Sequence, residues 1–273
     1  MTACRAARGF TLIEIVVAIT ISAIVMVFVS MFIAAPLKAY DAQSKRAALV
    51  AGPADAWPRM EIDLRAALPN SVRVRRNGVY MAVEMLNVTD VARYVPPIGA
   101  SFTAWGTTAG VFRGAPPYRY LSVNNLGTAG ENAYALSGSM TAPGATITLT
   151  PGAAGEATVT INPAPAFTAD SPKHRVYLVS GPVTYLCDEA LGNLWRYSGY
   201  AIAANQSSWD TPGKFTAAGV AGELMARGLT ACNFAASAVG APTAQTVAVR
   251  LTSTAASGDI VTLLHTSRAE YVP

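Results

Sequence analysis

From Phe10 to Ala35 the chain runs 26 residues with a single charge, Glu14, near the front. As a helix this run reaches roughly 39 Å at about 1.5 Å per residue. The hydrocarbon core of a bilayer is about 30 Å thick, so the run is long enough to span it with tilt to spare. Arg5 and Arg8 precede it, while Lys38, Lys45 and Arg46 follow it. Positive charge ahead of the first span favours a cytoplasmic N-terminus and sends the remainder across. A secretory signal core spans about 7–15 residues, so removal of the whole segment is not expected. A plain signal anchor accounts for everything except Gly9 and Glu14.

Glu14 is the residue that such a run does not need. A carboxylate in hydrocarbon costs a few kcal/mol or more and calls for a named partner. Within the chain the nearest candidate is an α-amino group, created if the chain is cut between Gly9 and Phe10. The alternative is a boundary glutamate whose side chain reaches toward the head groups.

The string Gly9-Phe10-Thr11-Leu12-Ile13-Glu14-Ile15-Val16-Val17-Ala18-Ile19 resembles the N-terminal processing motif of type IV pilins and pseudopilins. That resemblance implies cleavage after Gly9 by a prepilin peptidase and methylation of the new amine on Phe10. It also implies that Glu14 neutralises the terminal amine of a neighbouring subunit as helices stack into a filament. Each charge is expensive alone in lipid and tolerable as a pair, so the contact doubles as a check on assembly.

The expected organisation is α+β, with a long N-terminal helix followed by a mostly antiparallel β head. Residues 1–9 form a leader, 10–35 the transmembrane and filament-core helix, 36–70 an amphipathic helix, and 71–273 the periplasmic head. Trp57, Met60, Leu64 and Leu68 recur at helical spacing and define the apolar face of that second helix. Pro36, Gly52-Pro53 and Pro58 cut across it, and a kink or break is expected between Gly52 and Pro58. The helix is expected to end at Leu68-Pro69-Asn70.

Beyond Asn70 the apolar period becomes two. Strands are expected at 79–83, 118–123, 145–150, 157–161, 175–186, 193–201, 246–252 and 260–266, rich in Val, Thr and Tyr and bounded by Gly, Pro, Asn and Ser. Two hairpins are expected, one through Pro151-Gly152 and one through Ser257-Gly258-Asp259. Residues 96–170, heavy in Gly, Ala, Thr and Pro, read as a loop-rich insertion with a weak core signal.

Cysteine usage bears on compartment. Cys4 lies in the leader, which leaves Cys187 and Cys232, an even number facing an oxidising space if the orientation holds. A disulfide is expected, the alternative being two buried thiols; the chain-entropy model gives such a bridge about 4 kcal/mol as an upper guide. Only 13% of residues are charged, and the formal net charge of +4 falls to +2 without Arg5 and Arg8, so the balance predicts no acidic partner.

Further blocks narrow the resemblance. Leu68-Pro69-Asn70-Ser71-Val72-Arg73, the stretch Tyr177 to Tyr185, Arg196-Tyr197-Ser198-Gly199-Tyr200 and the ending Val261-Thr262-Leu263-Leu264-His265 with Val272-Pro273 are similar to blocks of one subgroup. This is the large minor pilin of the mannose-sensitive haemagglutinin pilus, the MshO type, related to PilW and to J-type pseudopilins. The resemblance implies a structural minor pilin held in inner-membrane lipid. Its partners would be the prepilin peptidase, other minor pilins, the major pilin and the assembly platform, and its final location the filament tip. It also supports the pairing of Cys187 with Cys232. The runners-up are a J-type pseudopilin of a type II secretion system and a tip adhesin that grips surface glycans through Trp105, Trp195 or Trp209.

Catalytic material is scarce. The chain has two histidines, His174 and His265, too few for a histidine-based triad or a metal cluster. It carries neither a nucleophile elbow nor a phosphate-binding glycine loop. No enzyme, cofactor or metal site is expected; adjacent Asp188 and Glu189 are better read as a solvated turn than as cation ligands. Arg73, Arg75 and Arg76 beside Tyr80 could contact phosphates, but a solvated strand start or contact with lipid head groups is the preferred reading, and nucleic acid is not an expected partner.

Overall fold

The structure, a computed structural model, describes residues 11–106, 119–237, 245–255 and 258–269. It is α+β. A single helix, α1 (Leu12–Arg65), is followed among the described residues by twelve strands arranged in two antiparallel sheets, with one short helix, α2 (Pro212–Ala217), between two successive strands of the larger sheet. The chain divides into two compact units, one up to Ala48 and one from Leu49 onward.

The first unit is the apolar part of α1, and every described side chain in its membrane-length run is exposed. Two of its hydroxyls are satisfied within the helix. Thr20 Oγ1 donates to the carbonyls of Val16 and Val17 at 3.0 and 2.9 Å, and Ser30 Oγ donates to Val27 at 2.8 Å. A side chain that returns its proton to the preceding turn needs no water, as a lipid-facing helix requires.

In the second unit the last turns of α1 carry a buried face made of Pro53, Ala56, Met60, Asp63 and Leu64. The expected break between Gly52 and Pro58 is absent: α1 remains helical from Leu12 to Arg65. Pro53 and Pro58 each remove one helical hydrogen bond. Burial of the 53/56/60/64 stripe offsets that loss, a case of tertiary packing overriding local propensity. Gly52 belongs to the same contact, since a Cβ there would lie 3.6 Å from the Arg227 carbonyl oxygen. The helix stops at Arg65. Leu68 N–H then donates to the Leu86 carbonyl at 2.7 Å and Val88 N–H donates to the Ala66 carbonyl at 2.8 Å, so the chain leaves the helix by pairing with a strand.

The larger sheet is built on two long strands, β2 (Tyr80–Tyr94) and β7 (Arg175–Asp188), paired antiparallel from Tyr80↔Asp188 to Arg93↔Arg175. The free edge of β2 is covered in three stretches. β1 (Arg73–Asn77) pairs with its start, residues 66–68 with its middle, and β3 (Ser101–Gly106) with its end. The free edge of β7 is shared between β4 (Tyr120–Val123) and β8 (Asn193–Ser198). β5 (Thr146–Pro151) and β6 (Glu156–Asn162) extend the sheet beyond β3, and β9 (Gly222–Ala226) closes the far side against β8. The smaller sheet has the order β10 (Leu229–Ala236), β11 (Gln245–Thr254), β12 (Ile260–Ala269). Both hairpins expected from the sequence, β5–β6 and β11–β12, are present, although Ser257 lies outside the described residues.

The central strands are buried on both faces. Met81, Val83, Met85, Val183, Tyr185 and Cys187 point into a core shared with α1 and the smaller sheet. The alternate residues Ala82 and Leu186 meet Tyr197, Tyr200 and Phe215 on the opposite face. Residues 96–170 differ from the loop-rich insertion expected of them. Their described part supplies β3 to β6, and Phe102, Ala104, Leu121, Val159 and Ile161 join Leu178 and Tyr94 in a third cluster. β4, β5 and β6 lie where strands are expected; β3 does not, because its two core residues, Phe102 and Ala104, alternate with Ser, Thr and Trp and carry little hydrophobic signal of their own.

Asp63, 2% exposed, locks α1 to the larger sheet. Its Oδ2 accepts from Arg196 Nε at 2.7 Å and from Tyr185 Oη at 2.7 Å, and Arg196 continues to Glu223 on β9 at 3.2 Å. Burial, joined by the Asp63 charge, raises the Tyr185 phenol well above its ordinary pKa and keeps it a donor. Removing one member of a buried pair strands the other, at about 3–5 kcal/mol, whereas an apolar replacement of both is often tolerated. We expect Asp63→Ala to lower stability by about that amount. Asp63→Leu combined with Arg196→Met should recover most of the loss, as read by thermal unfolding of the detergent-solubilised chain.

Candidate functional site

The N-terminal end of α1 begins with Thr11. Glu14 N–H donates to the Thr11 carbonyl at 3.1 Å and to Thr11 Oγ1 at 3.3 Å, the forward half of a Thr-x-x-Glu capping arrangement. An acid in the first turn is also favoured by the helix dipole. Glu14 thus has a local role in starting the helix, a signal present in Thr11-Leu12-Ile13-Glu14 that reasoning about the membrane alone passes over. Below Glu14 a shallow groove is lined by Ile15, Ala18, Ile19, Ser22, Ala23 and Met26. Small side chains at 18, 22 and 23 allow close backbone approach, the property that helix contacts in lipid require. Gly9 and Phe10 lie outside the described residues.

In the second unit the three arginines of β1 each face an acid. Arg73 Nε donates to Glu84 at 2.8 Å, its terminal nitrogens donate to the Ala203 and Ala204 carbonyls, and its guanidinium lies 3.5 Å from the centroid of the Tyr134 ring. Glu84 is fully buried; burial pushes its carboxyl upward, against the pull of Arg73 and the hydrogen bond from Tyr200. Arg75 donates to Asp210 at 2.8 Å, and Lys214 pairs with the same carboxylate. Arg76 donates to both oxygens of Glu189, at 2.8 and 3.0 Å, and to the Cys232 carbonyl at 2.9 Å. A phosphate would have to compete with a carboxylate at every one of these positions.

Asp188 and Glu189, expected as a solvated turn, are structural instead. Asp188 Oδ1 accepts from the amides of Ala190 and Leu191 at 3.0 and 3.1 Å and so fixes the turn after β7. Glu189 accepts Arg76 and the Cys232 amide, beside the disulfide that joins Cys187 to Cys232 and ties β7 to β10. His265 stacks on Trp57 of α1 at 4.3 Å, and His174 occupies a loop with φ +49° near the Tyr94 ring. Trp105, Trp195 and Trp209 are all half-buried, and Trp209 belongs to the aromatic cluster around Phe215. Among the described residues, no group of three or more His, Cys, Asp or Glu is placed to hold a metal.

Residues 4–30 match the prokaryotic N-terminal methylation motif. The match covers the segment with Gly9, Phe10 and Glu14, and with the long apolar helix and β head it makes the chain type IV pilin-like. The motif implies processing by a prepilin peptidase and assembly with other pilins. No curated protein and no solved structure matches the chain.

Glu189 gives a pH-dependent test. The hydrogen bond from Arg76 holds its carboxyl below the usual range, against an opposing contribution from burial. A depressed folded pKa stabilises above the unfolded value and loses that contribution as pH falls through the folded one. Arg76→Gln should therefore cost about 0.5–1 kcal/mol at pH 7, small because the arginine is half-exposed. The difference in melting temperature from wild type should shrink towards zero once Glu189 is protonated in both proteins, well below its ordinary pKa.

Proposed function

We propose that this chain is a structural, non-enzymatic minor pilin of a type IV pilus resembling the mannose-sensitive haemagglutinin system. Its α1 sits in the inner membrane with the head in the periplasm, joins other minor pilins in a complex that primes filament growth, and ends at the pilus tip. The observation that carries the reading is the methylation motif set directly on a helix of membrane length, with Glu14 in the first turn above a groove of small side chains. The β head adds weight through its two-faced core, which is anchored to the last turns of α1. Leader removal between Gly9 and Phe10 creates the amine that Glu14 of a neighbouring copy or partner neutralises. The shallow groove below Glu14 is where the partner helix would approach.

The domain limits follow from this reading: a leader at 1–9, a filament-core helix at 10–35, a linker at 36–70 that is helical as far as Arg65, and the head from 71 onward. A J-type pseudopilin would share every one of these features, and genomic neighbours separate the two: pilus and adhesin genes in one case, secretin and secretion ATPase genes in the other.

Mass spectrometry of the N-terminal peptide from purified membranes should find a chain beginning with N-methylated Phe10. An intact Met1 start would leave an ordinary signal-anchored β domain. Glu14→Ala should preserve insertion and cleavage while impairing filament initiation; normal piliation by that variant would remove the charge-pairing argument.

A further inference from the structure

Four carboxylates are buried among the described residues: Asp63, Glu84, Asp188 and Asp210. Three of them have a cation. Arg196 meets Asp63, Arg73 meets Glu84, and Arg75 and Lys214 share Asp210. Asp188, 3% exposed, is the exception. Its Oδ1 accepts the amides of Ala190 and Leu191, and among the described residues no Lys, Arg or His pairs with it and no donor reaches Oδ2. A buried charge without a counter-charge is costly, and a cation from outside the chain would relieve that cost.

The carboxylate lines a cleft of about 590 Å³ on the face of the larger sheet opposite the core shared with α1. Tyr80 stands directly across from Asp188 on β2, and Trp195 on β8 lies on the diagonal, opposite Leu186. Diagonal neighbours on one face of a sheet remain within reach of aromatic side chains. Tyr197 completes the aromatic lining, its ring held by stacking on Phe215 at 3.9 Å. Leu191, 72% exposed, lines the same cleft at the surface. Val79, 44% exposed, sits beside that turn, since its carbonyl accepts the Glu189 amide at 3.0 Å.

We propose that this cleft binds a lysine side chain presented by a partner protein, with the stem against Trp195 and Tyr80 and the ammonium on Asp188. Only Oδ2 is open, so the carboxylate cannot take the two-pronged hydrogen bond of an arginine. A lysine ammonium is a compact charge on a flexible apolar stem, which suits a single oxygen at the floor of an aromatic cleft. A neutral sugar would give Oδ2 one hydroxyl and leave the charge uncompensated. The exposed Leu191 and Val79 extend the apolar surface beyond the cleft, an area that a protein partner covers and a free amine does not. The site lies wholly within the second unit, so it stands independently of the proposed filament.

The test titrates the full chain in neutral detergent with Nα-acetyl-lysine methylamide at constant ionic strength and follows tryptophan fluorescence. The change should saturate, and the norleucine analogue, which has the stem without the charge, should bind about tenfold more weakly, as a hydrogen bond to a charged group requires. Asp188→Asn keeps an oxygen for the two amides and removes the charge; it should weaken the lysine compound about tenfold and leave the norleucine compound unchanged. Thr216→Lys, on an exposed site that lines the cleft, should supply an ammonium from within the chain and abolish binding of the added lysine compound. That variant decides the question should Asp188→Asn fail to fold. Equal binding of the norleucine compound, full binding by Asp188→Asn or by Thr216→Lys, or saturable binding of lactose would each overturn the lysine site. Tighter binding of cadaverine than of the lysine compound would overturn the protein source.

Discussion

The contact on which the second unit depends is the buried carboxylate of Asp63. It sits on the last turns of α1 and takes the Arg196 guanidinium from β8 and the Tyr185 hydroxyl from β7. Apolar packing around Met60 and Leu64 supplies area but tolerates sliding, because hydrophobic burial has no direction. A charge with two directed donors does not tolerate it: a shift along the helix would leave an ion buried without its partner. The pair fixes which turn of α1 meets which point of the sheet. Through Glu223 it also reaches β9, so three strands take their position from one side chain.

The helix solves the problem of carrying an acid twice, in opposite media. Asp63 is enclosed by protein that brings its counter-charges along. Glu14 begins the membrane-length run, has only Thr11 for local company within the described residues, and stands above a groove with room for another backbone. One acid has its partner in the fold and the other is left to find one. That contrast separates a subunit's own stability from its tendency to assemble, and both are encoded on a single helix.

Much of this was legible in the residues. The apolar run, the glutamate in its first turn, the Met60 and Leu64 part of the helix face and the long strand β7 follow from periodicity and composition, whereas only Tyr80–Val83 of β2 does. The missed elements have identifiable causes. Pro53 and Pro58 argue locally for a break, and only the burial of Pro53, Ala56, Met60 and Leu64 shows why the helix continues. β1 is four polar residues, three of them arginines, around the single apolar Val74, and its strand character comes from pairing with β2 and from acids at 84, 189 and 210. β10 carries Cys232 and Phe234 amid small and polar residues, so its inward face is recognisable only from the strands beside it. Ion pairs across more than a hundred residues have no local signature.

The bridge between Cys187 and Cys232 spans 45 positions, and that interval contains β8, α2, β9 and the start of β10, along with Arg196 and Glu223. A subunit of the proposed filament would bear load, and a chain pulled from both sides lengthens by the contour of whatever comes undone. At about 3.4 Å per extended residue the bridged interval holds roughly 150 Å of such length. The covalent link withholds all of it. A head that loses its hydrogen bonds under tension therefore yields only from the strands outside the bridge, and the Arg196 side of the Asp63 lock stays on a closed loop, near at hand when the pull relaxes.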